Sequence, residues 1–219
     1  METHTTEEQQ IAALKSWWKE NGSSIVTGIV LGLAVLFGGK AWFAYQERTA
    51  QNASNVYMMM MNALETGDAA TVTERAGLLI ADFSGTPYAT FAALALAKQQ
   101  LGEGKLEAAQ AQLQWALDNS GAGVIQDVAR LRLVRVLVAR GELDAAEQLL
   151  TQALPGSAFD ALYTELRGDI YLARGEGVLA SDAYQQALAA TALDAPGRQL
   201  LQLKYDNFSG QPAAAGAAR

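Results

Sequence analysis

Apolar positions along this chain form one long uninterrupted block, followed by shorter blocks with helical periodicity. The long block runs from Ile25 to about Tyr45. No charged side chain lies between Glu20 and Lys40, which leaves nineteen consecutive uncharged positions dominated by Ile, Val, Leu, Ala and Gly. An α-helix of about 20 residues spans roughly 30 Å, the thickness of a bilayer's hydrocarbon core. The pattern therefore predicts one transmembrane helix over 23–45. A buried helix of a soluble core and a cleaved signal peptide are the competing readings. The length of the run, its acidic upstream region and the lack of a closing Ala-x-Ala site favour an uncleaved anchor.

Downstream, the shorter blocks repeat. The segments "ETGDAATVTERAGLLI", "GEGKLEAAQAQLQWAL", "ARGELDAAEQLLTQAL" and "ARGEGVLASDAYQQAL" overlay, with turn glycines at Gly67, Gly104, Gly141 and Gly175, spaced 37, 37 and 34 residues apart. Thirteen positions after each glycine stands Ile80, Leu117, Leu154 or Leu188. Such periods mark a solenoid of helix pairs, because one pair cannot bury its apolar face alone and stacked pairs can. First helices are expected over Tyr88–Leu101, Ile125–Ala139 and Phe159–Ala173, and their partners over Leu106–Leu117, Leu143–Leu154 and Leu179–Ala189. A last helix or cap follows Pro196. The fold class is all-α: a single transmembrane helix followed by a tetratricopeptide-like α-solenoid. The domains are a head at 1–22, the anchor at 23–45, the repeats at 46–208 and a flexible tail at 209–219.

Residues flanking the anchor fit a membrane interface. Trp17, Trp18 and Trp42 sit where amphipathic rings prefer the headgroup level, and Lys40 is close enough to one end to snorkel. Ile11, Leu14, Trp17 and Trp18 form a short amphipathic stretch expected to lie along the membrane surface, with Asn21 and Gly22 marking a break; a continuous helix is the alternative. Ser24, Gly28 and Gly32 recur every fourth position, a stripe through which membrane helices approach closely.

Within the repeats, the run Met58 to Met61 has two readings. It is either an adaptable binding surface or a helix segment with two methionines packed and two partly exposed. Val56, Met59, Met60, Ala63 and Leu64 form the expected apolar face. Arg130, Arg132, Arg135 and Arg140 concentrate positive charge, to be neutralised within the domain or offered to an acidic partner. Trp115 is expected in packing between repeats. The first-helix faces around Tyr88, Phe91, Tyr163 and Tyr171, with Arg132 and Arg135, are the candidate partner surface.

Composition narrows the chemistry. The 219-residue chain contains no cysteine, one histidine, His4, and a net charge of −7. Disulfides, thiolate catalysis and Cys-built metal sites are excluded, and no histidine-based triad is available. Residues after Tyr45 carry 19 acidic against 13 basic side chains, which gives nucleic acid no foothold. "GLAVLFGGKA" mimics a phosphate loop, but Ala34 replaces its first glycine and Ala41 its hydroxyl residue. Acid pairs such as Asp144 and Glu147 fall on helix surfaces. No enzyme activity, cofactor, metal or small-molecule substrate is expected. Local charge around the anchor is balanced, with Lys15 and Lys19 before it and Lys40 and Arg48 after it. A long domain behind a short head favours a cytoplasmic amino terminus.

"SWWKENG", "VLGLAVLFGGKAWFAYQ", "YMMMMNALETGD", "SGTPYATFAALALAKQ" and "GELDAAEQLL", in this order, resemble the YfgM family of bacterial inner-membrane proteins, up to about Phe208. The resemblance implies an ancillary subunit of the SecYEG translocon with one membrane helix and a periplasmic tetratricopeptide-like domain. It implies association with the translocon and with a PpiD-like membrane-anchored chaperone, and assistance in handing over secreted client proteins. It carries no catalytic residues. A scaffold or pilot protein for a different envelope complex is the alternative. The alanine-rich end from Gln211 has no counterpart in the resemblance.

Overall fold

A computed structural model describes residues 7–121, 123–153 and 156–209. His4, Leu154 and the expected tail from Gly210 lie outside the described residues. The described chain is all-helical: α1 (Glu7–Thr66), α2 (Ala69–Asp82), α3 (Pro87–Gly102), α4 (Leu106–Asn119), α5 (Val124–Ala139), α6 (Leu143–Thr151), α7 (Asp160–Ala173), α8 (Gly177–Ala190) and α9 (Arg198–Ser209). It forms two compact units, Met1–Asn52 and Ala53–Arg219.

In the first unit α1 continues through Asn21 and Gly22, where a break was expected. The Asn21 amide donates to the Trp17 carbonyl 3.0 Å away, so its hydrogen-bonding capacity is spent within the helix. Gly22 is covered by the Trp18 indole, which lies 3.1 Å from where a Cβ would stand. The apolar stretch is bare: Val35, Phe37 and Phe43 are 74%, 68% and 74% exposed. A core helix of a soluble protein would bury these side chains, because apolar area left in water is unfavourable.

The second unit begins where α1 acquires packing partners. Ala53, Met60 and Ala63 are buried and join Val72, Ala76 and Leu79 of α2 and Ala92 and Leu96 of α3. Met60 is wholly buried and Met61 partly so, whereas Met58 and Met59 project outward. The two-in, two-out reading of the methionine run therefore holds, but Met59 does not belong to the apolar face; Tyr57 packs there instead.

A second cluster joins α3 to α7 through Leu113, Leu133, Val134, Leu166 and Ile170, with Trp115 packed on its edge. Alanine allows the helices to approach closely: of the pairs Ala108–Ala109 in α4 and Ala145–Ala146 in α6, Ala109 and Ala146 are wholly buried. A third cluster, around Tyr184, Ala187 and Leu201, lies under α9, which caps the stack.

The four turn glycines work alike. Gly67, Gly104, Gly141 and Gly175 have φ of 74°, 72°, 76° and 79°, a left-handed conformation that side chains disfavour. After each, the next amide donates back five residues, from Asp68 to Ala63, Lys105 to Gln100, Glu142 to Leu137 and Glu176 to Tyr171, at 2.8–2.9 Å. This satisfies carbonyls that the helix end would leave unpaired and turns the chain into the second helix. From α3 to α8 the helix boundaries match the sequence periodicity to within two residues, except that α6 ends at Thr151, whereas α1 runs well past the expected 23–45 at both ends.

Candidate functional site

Exposed candidate residues lie on the apolar length of α1 and on the outer faces of α3 and α5. On α1, Trp17, Trp18 and Trp42 are exposed, and Trp42 lies against Tyr45 with ring centroids 6.4 Å apart. Ser24, Gly28 and Gly32 are exposed, and no atom lies within 4 Å of a Cβ added at either glycine. Among the described residues α1 is the one helix long and apolar enough to cross a membrane.

In the repeat unit an open groove of about 740 Å³ has α3 as its floor and the end of α1 and the start of α5 as its walls. Phe91, Leu94, Ala95, Lys98, Gln99 and Gly102 contribute from α3. They fall at positions i, i+3, i+4, i+7, i+8 and i+11 and so share one helix face. Tyr57, Met61 and Leu64 face them from α1, and Val124, Val128 and Arg132 from α5. Tyr57 anchors one wall by packing on Tyr88 and Phe91, with centroids 5.5 and 6.2 Å away. Arg135 lines a separate, smaller cleft with Leu166 and Asp169.

The arginine concentration divides. Arg130 is buried on the opposite side of α5, where its guanidinium donates to Asp127 at 3.0 Å and to the Tyr163 hydroxyl at 3.4 Å. Arg140 pairs with Glu142 and with Glu107 of the preceding second helix, at 2.6 and 3.3 Å. Arg132 and Arg135 make no ion pair with a described residue. Intramolecular neutralisation thus accounts for half of the four.

Tyr163 corrects the expectation that it belongs to an open partner surface. It is 5% exposed, and its hydroxyl donates to Asp127 at 2.6 Å. Burial and that hydrogen bond push its pKa up to about 12. Tyr171 is half-buried against the third core cluster. Sequence periodicity identified the first helices but not this rotation about the α7 axis. The polar signal was Asp127, thirty-six residues before Tyr163 and facing it across the repeat.

A further network ties α9 to α7. Lys204 contacts Glu165 and Asp169, each at 2.7 Å, and Tyr184 donates to Asp169 at 2.8 Å. Burial opposes the charge on Lys204, but its bonds to the two carboxylates outweigh that and hold its pKa above the ordinary value. Asp144 and Glu147 are both taken by Arg174, at 2.8 and 2.6 Å. Among the described residues no cluster of His, Cys, Asp and Glu is arranged to hold a metal ion.

A bare apolar helix followed by stacked helix pairs, each closed at a left-handed glycine, defines a membrane-anchored helical-repeat protein. Residues 15–210 match the family model described as a tetratricopeptide repeat-like domain. The chain is 36% identical to the ancillary SecYEG translocon subunit of Haemophilus influenzae over 203 residues, 92% of this chain and 97% of that protein. It is 30% identical to the Escherichia coli protein of the same description, over 95% of this chain and the whole of that one. The Neisseria gonorrhoeae protein so described is 27% identical, with coverage of 95% and 100%. The chain belongs to this YfgM-like family of ancillary SecYEG translocon subunits. No solved structure matches it.

Proposed function

We propose that this protein is a non-enzymatic scaffold of the SecYEG translocon. It is held in the inner membrane by the apolar part of α1, with its head in the cytoplasm and its repeats in the periplasm. The observation that carries this reading is the alignment with translocon subunits over nearly the full length of both chains. Tethering raises the local concentration of the repeats near membrane partners without a chemical step. The Ser24, Gly28 and Gly32 stripe presents the face for close helix packing in the membrane, and the aromatic rings and Lys40 fix its depth. The first-helix faces at Tyr88, Phe91, Arg132 and Arg135 engage a PpiD-like chaperone and assist handover of secreted clients; this finer part draws on the family resemblance.

Photocrosslinking in intact membranes tests the reading, with probes at Gly28 and at Phe91. Translocon subunits are expected at the first position and a periplasmic chaperone or its client at the second. Reproducible capture of a different envelope complex, without any secretion component, overturns the proposal.

A further inference from the structure

We propose that the groove over α3 seats an amphipathic helical segment of a partner polypeptide, with apolar side chains against the floor and carboxylates toward Lys98 and Arg132. This rests on the scaffold reading above and names the chemistry its repeat surface recognises.

Shape is the first argument. The α3 floor runs from Phe91 to Gly102, which at about 1.5 Å per residue is a trough of about 16 Å, or three helical turns. Its walls are rows of side chains from α1 and α5, and such ridges complement the rows of another helix. The described fold offers no strand edge to pair with an extended backbone. A helix laid into an apolar groove is the mode that fits.

Charge is the second. The repeat domain is acidic, yet the groove lining carries two cations, Lys98 and Arg132, against one carboxylate, Glu65. Neither cation makes an ion pair with a described residue, although Lys105, Arg140, Arg174 and Lys204 are all matched internally. Both are exposed beside Leu64, Leu94 and Val128, where an arriving carboxylate is attracted more strongly than in open water. An apolar segment bearving acidic side chains satisfies floor and rim together, whereas a basic one meets like charge.

The test uses the full chain in zwitterionic lipid nanodiscs, with empty nanodiscs as baseline. Fluorescence anisotropy follows a labelled amphipathic peptide of about three turns, made with leucine anchors and with Glu, Gln or Lys at the flanking positions. The Glu peptide is expected to bind about tenfold more tightly than the Lys peptide. Lys98→Glu with Arg132→Glu reverses that order, and Phe91→Ser weakens all three peptides while leaving the thermal transition in place. Equal binding of the three peptides, no binding above baseline, or indifference to the charge reversal overturns the proposal. So does groove-dependent self-association, in which Phe91→Ser converts a dimer to a monomer. Translocon crosslinks at Gly28 separate the two readings: if they persist while peptide binding fails, the groove proposal alone falls. If they are absent while the charge preference holds, the scaffold reading falls.

Discussion

The Tyr184 ring occupies the space a side chain at Gly168 would need. A Cβ on Gly168 would stand 2.5 Å from the nearest ring atom, and Tyr184 is wholly buried between α7 and α8. A glycine inside a helix costs about 0.5–1 kcal/mol of stability relative to alanine, and here close packing of the two helices compensates. Gly168→Ala is expected to destabilise the domain by about 1–3 kcal/mol through overpacking. Gly77, on the exposed face of α2, has nothing within 4 Å of an added Cβ, so the same change there should stabilise by about 0.5–1 kcal/mol. Opposite shifts of the thermal midpoint would verify the contrast; two shifts of one sign would refute it.

The buried Arg130 is tolerated because Asp127 stands beside it. Asp127→Ala leaves that guanidinium uncompensated and is expected to cost about 3–5 kcal/mol. Tyr163→Phe removes one hydroxyl and should cost about 1 kcal/mol. Replacing Arg130 by Met in the Asp127→Ala background should recover most of the loss. Denaturant unfolding of the four proteins measures the order, and a double variant no more stable than Asp127→Ala would contradict this account.

Alkaline pH should loosen the domain from within. Tyr163 titrates near pH 12 when folded against an ordinary 10.0, so it contributes stability that is fully present below pH 10.0 and lost as pH rises through about 12. Burial and the neighbouring Asp169 raise Tyr184 as well, and Lys204 is raised above 10.5 by its carboxylates; both act with the same sign. Thermal midpoints followed by circular dichroism should fall across this window, with a shallower fall in Tyr163→Phe. Parallel curves for the two proteins would show that Tyr163 is not responsible.

Topology has its own check. With the repeats in the periplasm, protease added to intact spheroplasts should remove them and spare the amino-terminal head. Protection of the repeats until the membrane is opened would reverse the assigned orientation.

Much of this architecture was legible because the relevant residues act locally. The glycines at 67, 104, 141 and 175 mark turns by their recurrence ahead of similar segments, and Pro87 pre-sets the first turn of α3. The uncharged block could be read by length alone. What remained hidden depends on rotation about helix axes and on distant partners. Tyr163 reads as a surface aromatic until Asp127 is known to face it, and Met59 differs from Met60 only by the angle at which α1 meets α2. The helix through Asn21 and Gly22 survives because a side-chain amide and an indole fold back on it, contacts that turn propensity does not anticipate. Of the residues expected on a partner surface, only Phe91 and Arg132 line the groove, and Met61 enters it from the methionine run; that Tyr57 and Leu64 complete its α1 wall depends on how α1 packs against α3, which periodicity does not give.

The ion pairs between successive repeats carry a consequence for how such a domain changes over generations. Arg140 stands just before one turn glycine and reaches Glu107 at the start of α4; Arg174 stands just before the next and reaches Asp144 at the start of α6. The α5–α6 unit thus carries an acid, Asp144, for its successor and a cation, Arg140, for its predecessor. A second copy of α5–α6 set after the first would place its Arg140 beside the first copy's Asp144 and offer its own Asp144 to Arg174. The number of units is then a dimension that duplication can adjust at this point of the stack, lengthening the domain with the ion pairs on either side retained.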